Sequence, residues 1–321
     1  MSKSLRIVFM GTPDFAVHSL SRLVEEGYNV VGVVTMPDKA IGRHHDVLQA
    51  SPVKQFAVEK GIPVLQPEKL RDEAFLAELK ALRADLQIVV AFRMLPQVVW
   101  GMPPMGTFNL HAALLPQYRG AAPINWAIIN GDSETGITTF FLDEHIDTGR
   151  IILQEKTPIL PDECAEDVHD KLMLQGAELV LRTVDLIATG KTETIDQAQF
   201  MTDAPLRPAP KLFKDNCQVQ WAEHTPESAR NFIRGLSPYP AAWTSIVSPE
   251  GKATDLKIYR TTAETAATGV TEPTLQTDGK SYLRIALPAG YLYLDEIQLA
   301  GKKRMHTVDF LRGAHIEGYT L

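Results

Sequence analysis

Two polar side chains end an apolar run in the middle of the chain. The stretch TFNLHAALLPQYRGAAP, residues 107–123, places Asn109 and His111 two residues apart. On a β-strand, residues two apart point to the same side, so these side chains project together while Leu110 packs on the other face. An asparagine amide can donate to a developing oxyanion, and a histidine can donate or accept a proton near neutral pH. The pair therefore predicts a catalytic site.

A carboxylate that can complete this pair follows in the stretch FFLDEHIDTGRII, residues 140–152. Asp147 lies there in a turn-like segment between two β-rich runs. Between residues 91 and 150 the only serine is Ser133, in the turn-like GDSETG, and there is no cysteine. A covalent enzyme intermediate needs such a nucleophile. The sequence therefore favours direct attack by one substrate on the other.

The elements that position these residues alternate between strand-like and helix-like patterns. Predicted strands cover residues 6–10, 30–34, 63–65 and 86–92, and predicted helices cover about 13–26, with Thr12 as cap, 52–59 and 72–83. Repeated strand–helix–strand units favour an α/β fold with a Rossmann-like parallel sheet. Such sheets bind ligands beyond the carboxyl ends of their strands, and Asn109 and His111 lie at one of those ends.

The second part of the chain has a different pattern. A predicted helix over about 163–188 is followed by GKTETIDQAQFMTDAPLRPAPKLFKD, which lacks apolar periodicity and is rich in proline and polar residues. This composition is typical of a linker. A short helix near 226–234 and several β-rich runs separated by Gly, Pro and Asp follow. They predict a small β-barrel.

Composition excludes several classes of protein. The chain has 321 residues, 45% of them hydrophobic and 22% charged, and no window approaches the roughly 18 apolar residues of a membrane span. MSKSLRIVFMG enters a strand-like run without the pattern of a secretory leader, so we expect a cytoplasmic protein. Cys164 and Cys217 are too few for a disulfide framework. Neither cysteine has the paired spacing of a zinc or redox motif.

The net charge of −7 is unevenly divided along the chain. Residues 205–321 contain 14 basic and 12 acidic side chains, whereas residues 1–204 contain 18 and 27. A relatively basic second part permits an anionic partner on that side.

Several motifs resemble those of the folate-dependent formyltransferases. The motifs shared with the whole family are NLH at 109–111, LLPQYRGAAP at 114–123, GDSETG at 131–136 and HIDTG at 145–149. Others resemble the members of the family that act on methionyl-tRNA: GTPDFA at 11–16, TMPDKAIGR with SPVK at 35–54, PKLFKD at 210–215, IRGLSPYPAAW at 233–243 and LAGKKRM at 299–305. The resemblance covers nearly the whole chain.

This resemblance implies a reaction and a division into domains. The formyl group of 10-formyltetrahydrofolate would pass to the α-amino group of methionine on initiator tRNA. Asn109 would stabilise the oxyanion, His111 would polarise the formyl oxygen or shuttle a proton, and Asp147 would orient His111 or accept the amine's proton through a water molecule. We expect a catalytic domain over 1–189, a linker over 190–208 and an OB-like, tRNA-binding barrel over 209–321, in a monomeric protein.

The resemblance also implies which residues meet the two substrates. Folate contacts are expected from the loops that follow two strands: Ala91, Phe92, Arg93, Leu95, Leu114, Leu115 and Pro116. Contacts to tRNA phosphates are expected from a basic loop near the catalytic edge, from the linker and from the C-terminal motif: Lys39, Arg43, Lys211, Lys214, Lys302, Lys303 and Arg304. Arg43 aligns with the family's key arginine.

Alternatives remain open from the sequence. The same three catalytic residues would serve a formyltransferase acting on an amino sugar nucleotide, or a hydrolase that releases formate from the folate. A non-catalytic RNA-binding protein would not need all three. The histidines and acids in HHD at 44–46 and in DEHID at 143–147 lack a diagnostic metal-ligand spacing, so we expect no metal.

Overall fold

The computed structural model describes residues 2–41 and 47–321, which form two compact units. One unit comprises Met1–Gly120, Thr135–Thr157 and His169–Pro208, and the other comprises Ala121–Glu134, Pro158–Val168 and Ala209–Leu321. Two segments inside the range expected for the catalytic domain, 121–134 and 158–168, thus group with the C-terminal residues.

Helices and strands alternate along the first two hundred residues. The strands are β1 Ile7–Gly11, β2 Val30–Val34, β3 Lys39–Ile41, β4 Val47–Gln49, β5 Val64–Leu65, β6 Leu86–Val90, β7 Thr107–His111, β8 Glu134–Phe141 and β9 Ile151–Pro158. The α-helices are α1 Asp14–Glu25, α2 Pro52–Glu59, α3 Glu73–Ala81, α4 Gln97–Trp100, α5 Pro123–Ile129 and α6 Ala165–Ala188.

The sheet of the first unit has seven strands in the order β5-β2-β1-β6-β7-β8-β9. Strands β5, β2, β1, β6 and β7 run parallel, and β8 runs antiparallel to β7. The predicted Rossmann-like parallel sheet is therefore confirmed. Within it, Gly11 pairs with Val90 and Val90 pairs with Leu110, so β1, β6 and β7 end at the same edge.

Two sequence-based boundaries differ from the structure near this edge. Helix α1 begins at Asp14, and Pro13, with its extended backbone, takes the N-cap position predicted for Thr12. The Pro13 carbonyl already accepts the Ala16 N–H, and the buried Thr12 hydroxyl makes no hydrogen bond within the described residues. Strand β6 ends at Val90, two residues before the predicted end, because Ala91 adopts a left-handed conformation with φ of +48°.

The second unit contains an antiparallel sheet. Besides α5 and the first residues of α6, its elements are α7 Pro226–Leu236, β10 Ala242–Val247, β11 Ala253–Thr265, β12 Thr274–Thr277, β13 Leu283–Leu287, β14 Gly290–Leu299, β15 Met305–His306 and α8 Thr307–Leu311. The strand order is β10-β11-β14-β13-β12, and β15 pairs with β14. The sheet forms a half-barrel, in agreement with the predicted small β-barrel fold. Apolar residues of α7, such as Ile233 and Leu236, share one buried core with the inward side chains of the sheet.

Candidate active site

His111 lies at the carboxyl end of β7 with only 6% of its surface exposed. Its Nε2 lies 2.8 Å from the carbonyl oxygen of Tyr118. A carbonyl can only accept, so the proton of this hydrogen bond belongs to Nε2. Nδ1 then faces Asp147, at 3.8 Å from its Oδ2. The imidazole and the carboxylate thus lie near hydrogen-bonding distance, and contacts of this length in unliganded sites often shorten when a substrate binds.

Asp147 lies in the turn between β8 and β9, and its side chain is 12% exposed. Its φ of +56° is in the left-handed region, which costs a residue other than glycine about 1–2 kcal/mol. Oδ2 accepts a hydrogen bond of 2.9 Å from the Gly120 N–H. The turn also approaches β8 closely, because a Cβ on Gly149 would lie 1.6 Å from the Phe141 carbonyl oxygen. The surrounding chain thus holds the carboxylate in place.

Asn109 is the third predicted catalytic residue, and it lies on β7 two residues before His111. It pairs with Val89 of β6 and Phe140 of β8, so its backbone is fixed from both sides. Its side chain is half-buried and makes no hydrogen bond to any residue of 2–41 or 47–321. The amide donor is therefore available to a ligand at the edge where β1, β6 and β7 end.

The loop after β7 is fixed by polar contacts from β8 and β9. The Thr138 hydroxyl donates to the Ala113 carbonyl at 2.6 Å and accepts from the Leu115 N–H at 3.3 Å. Gln154 Nε2 donates to the Leu115 carbonyl at 3.0 Å. These hydrogen bonds consequently fix the conformation of the backbone at Ala113 and Leu115, just after His111.

Three of the predicted folate-contacting residues lie in this loop. Leu115 is 1% exposed and packs with Phe140 in a small core cluster, and Pro116 is also buried. Leu114 is half-buried and sits over Gly136, where a Cβ would come within 2.5 Å of it. All three side chains contribute to packing of the loop.

The Arg93 guanidinium forms hydrogen bonds with nearby backbone carbonyls. Its Nη1 donates to the Glu68 carbonyl at 2.8 Å, and its Nη2 donates to the Pro67 carbonyl. Its guanidinium lies 5.6 Å from the centre of the Phe92 ring, and burial lowers the pKa of the group. These contacts fix the loop that follows β6.

The other predicted folate residues of this loop differ in exposure. Ala91 is exposed, whereas Leu95 is buried in the core with Val99. Between them Met94 is 74% exposed, although it is a large apolar side chain. Met94 therefore offers exposed apolar surface in the loop that follows β6.

The basic residues predicted to contact tRNA lie in several places. Lys39 is exposed at the start of β3 in the first unit, and Arg43 lies outside the described residues. In the second unit Lys214 is exposed, with Nζ 3.5 Å from Asp255 Oδ2 and 5.0 Å from the centre of the Trp243 ring. Lys211 is exposed too. These second-unit lysines can reach solvent.

The C-terminal basic motif divides into paired and unpaired cations. Lys302 and Lys303 are exposed and make no ion pair within the described part of the chain. Arg304 forms two hydrogen bonds of 2.9 and 2.8 Å to Glu296, which raise its pKa, and stacks 4.2 Å from the centre of the Tyr259 ring. Arg304 is therefore already neutralised.

An outward row of residues on the half-barrel was not predicted from the sequence. Trp243 pairs with Lys257, and Lys257 pairs with Gln298, across β10, β11 and β14. Lys214 stacks on the same Trp243 ring. Alternation along the strands could have indicated this row, but the pairing of the strands was not known from the sequence.

The described residues contain neither a cluster suited to a metal ion nor a helix suited to crossing a membrane. Among residues 2–41 and 47–321, no group of three or more His, Cys, Asp or Glu side chains could hold a metal ion, and His44, His45 and Asp46 lie outside the described residues. No described helix combines the length and apolar character needed to cross a membrane.

Comparison with known proteins identifies the family. The model of the formyl transferase family matches residues 5–184, and that of the formyl transferase C-terminal domain matches residues 211–315. The chain is 61% identical over 321 residues to methionyl-tRNA formyltransferase of Parabacteroides distasonis, with 99% of each chain covered. It is 56% identical over 320 residues to that of Bacteroides thetaiotaomicron, again with 99% of each covered. The chain belongs to the methionyl-tRNA formyltransferase family.

A solved structure shows the same formyltransferase fold. The N-formyltransferase of Helicobacter canadensis, in complex with folinic acid and dTDP-3-aminofucose, superposes with a TM-score of 0.65 at 21% identity, covering 93% of this chain and all of the other. At this identity the likeness concerns the fold alone. The resemblance inferred from the motifs is thus confirmed at the level of methionyl-tRNA formyltransferases by the full-length relatives.

Proposed function

We propose that the chain transfers the formyl group of 10-formyltetrahydrofolate to the α-amino group of methionyl initiator tRNA, for translation initiation. The observation that carries this proposal is the arrangement of Asn109, His111 and Asp147 at one edge of the sheet, in a chain that matches methionyl-tRNA formyltransferases over its full length. The protein is then a transferase with a folate co-substrate and a tRNA acceptor.

The site performs the transfer in a single displacement. The methionyl nitrogen attacks the formyl carbon, and the Asn109 amide donates to the oxygen as it becomes negative. His111 takes the amine's proton at Nδ1, and the Asp147 carboxylate stabilises the charged ring. The proton then passes to N10 of the folate as the C–N10 bond breaks. An α-amino group has a pKa of about 8, so little base strength is needed.

The folate donor supplies an activated formyl group. The edge of the sheet beyond β6 and β7 has side chains suited to binding the folate. The unpartnered Asn109 amide and the exposed Met94 provide a donor and an apolar surface there. We assign the folate contacts to the two loops that border this edge: Ala91, Phe92, Arg93, Leu95, Leu114, Leu115 and Pro116. Arg93 would act by fixing its loop.

The acceptor tRNA would be held through its phosphates. We assign these contacts to exposed cations of both units, Lys39, Lys211, Lys214, Lys302, Lys303 and Arg304, and to Arg43, which lies outside the described residues. Lys257 and the Trp243 ring extend the basic surface of the half-barrel. Of the assigned cations, Arg304 must first leave Glu296 to bind a phosphate. We further propose a monomer that acts in the cytoplasm.

The test is a competition between acceptors. Labelled 10-formyltetrahydrofolate is supplied with methionyl initiator tRNA, free methionine and an amino sugar nucleotide in one mixture, and formate is measured in parallel. The proposal predicts label on the tRNA-bound methionine. Label on the sugar, or formate released without an acceptor, would be consistent with formyl transfer chemistry at this site but would refute tRNA-bound methionine as the acceptor.

A further inference from the structure

Gln197 is a buried polar residue in the segment that the sequence marks as a linker. It opens a short 3-10 helix, Gln197–Phe200, and is 3% exposed. Its Nε2 donates to the carbonyls of Asp147 and Gly149, at 2.9 and 2.8 Å. Its Oε1 accepts from Nε and Nη2 of Arg119, at 3.1 and 2.6 Å. A glutamine has two donors and two acceptor positions, so this side chain is fully used.

The two carbonyls that Gln197 binds belong to the turn that carries the proposed catalytic carboxylate. Asp147 has a left-handed backbone, a sparsely populated conformation for a residue with a side chain, and neighbouring contacts help to hold it there. The hydrogen bond to its carbonyl fixes the peptide plane between Asp147 and Thr148, and the bond to the Gly149 carbonyl fixes the plane that follows Gly149. The same contacts fix the direction in which the Asp147 side chain leaves the backbone.

We propose that Gln197 is a positioning residue for formyl transfer. It holds the turn at Asp147 so that the carboxylate faces Nδ1 of His111. This inference rests on the proposed function and adds to it a residue outside the three that handle the reacting atoms. Gln197 acts through Asp147 and does not touch the substrates.

The rest of the segment supports the same role. The Arg207 carbonyl accepts the Tyr118 N–H at 2.7 Å, and the Arg207 N–H donates to Gln117 Oε1 at 2.8 Å. Tyr118 is the residue whose carbonyl accepts the Nε2 proton of His111, and it too has a left-handed backbone. Residues 197–207 therefore hold in place both hydrogen-bonding neighbours of the His111 ring, the turn at Asp147 and the backbone of Tyr118.

The test uses Gln197→Glu, which keeps the size of the side chain and its acceptor for Arg119 but cannot donate to the two carbonyls. Gln199→Glu is the matched control, since Gln199 is exposed in the same short helix and the charge change is identical. Each is made in the wild type and in Asp147→Asn. Asparagine tolerates the left-handed backbone, so this background removes the carboxylate charge and keeps the turn.

We expect Gln197→Glu to lower kcat by tenfold or more in the wild type while KM for tRNA stays within twofold. In the Asp147→Asn background the same substitution should cost less than threefold, because the carboxylate that it positions is already gone. Gln199→Glu should leave kcat unchanged in both backgrounds. Thermal unfolding of each variant checks the fold, and Gln197→Met, of similar volume, replaces Gln197→Glu in the cycle if the latter does not fold.

Two results would overturn the inference. Equal losses in both backgrounds would mean that Gln197 supports the fold and does not act through Asp147, and an unchanged kcat in Gln197→Glu would mean that its hydrogen bonds are dispensable. Failure of the proposed function is distinguishable from both. It would show as absent formyl transfer in the wild type, or as full activity in Asp147→Asn.

Discussion

Truncation of Asn109 gives the sharpest prediction, because its amide has no structural task in the described chain. The backbone of Asn109 is held by β6 and β8, and its side chain makes no hydrogen bond to residues 2–41 or 47–321. Asn109→Ala therefore removes little that stabilises the fold. We expect the free energy of unfolding to change by less than about 1 kcal/mol, as for sites without a special role.

The effect on the reaction should be much larger. Removal of one oxyanion donor typically lowers kcat by about 100- to 1000-fold, or about 2.7–4 kcal/mol of transition-state stabilisation. The donor acts on charge that develops only during attack, so KM for both substrates should change little. Asn109→Asp, which keeps the shape but replaces the donor with an acceptor, should be at least as slow as Asn109→Ala.

A single-turnover assay separates these effects. Excess enzyme is mixed with methionyl initiator tRNA and 10-formyltetrahydrofolate, quenched at intervals, and the released formylmethionine is measured by mass spectrometry. Melting curves are recorded on the same preparations. A rate within fivefold of the wild type, or a defect confined to KM, would refute the role given to Asn109.

Three further predictions concern the turn at the site, the cysteines and the basic surface. Gly149→Ala should lower stability by about 3 kcal/mol and the melting temperature by roughly 6–12 °C, because its Cβ would collide with a backbone carbonyl that cannot rotate away; an unchanged melting curve would contradict this. Burial raises the pKa of Cys217 and of Cys164, so at pH 8 the native protein should react with a thiol reagent far more slowly than after unfolding, and equal rates would contradict it. The double variant Lys302→Ala/Lys303→Ala should reduce the slope of log Kd for tRNA against log salt by roughly 2 without lowering kcat, whereas an unchanged slope would remove these lysines from the interface.

The sequence predicted the parts of the site that depend on local pattern. Asn109 and His111 were placed on one face of a strand by their spacing, and Asp147 was placed in a turn by its neighbours, as the structure has them. In each case the relevant signal lies within a few residues. Strand alternation and turn chemistry are properties of such short windows.

The remaining parts depend on contacts between distant segments. His111 Nε2 donates a hydrogen bond to the backbone carbonyl of Tyr118. Every residue type has such a carbonyl, so the sequence does not indicate this partner. Gln197 lies 50 residues after Asp147, in a segment without periodicity. The apolar run of β6 continues to Phe92, so the left-handed turn at Ala91 was hidden. Only the folded chain brings these features together.

The proposed proton transfer by His111 is tested most directly by the single-turnover rate of formyl transfer to methionyl initiator tRNA in the wild type and in His111→Gln, with tRNA affinity measured on the same samples. Glutamine can still donate to the Tyr118 carbonyl, so the loop should keep its structure, but it cannot carry a proton to N10. General acid–base catalysis contributes about 100- to 10,000-fold. We therefore expect His111→Gln to lower the single-turnover rate by at least about 100-fold, with the Kd for tRNA within twofold of the wild type. A rate near that of the wild type in His111→Gln would contradict the proposed proton transfer.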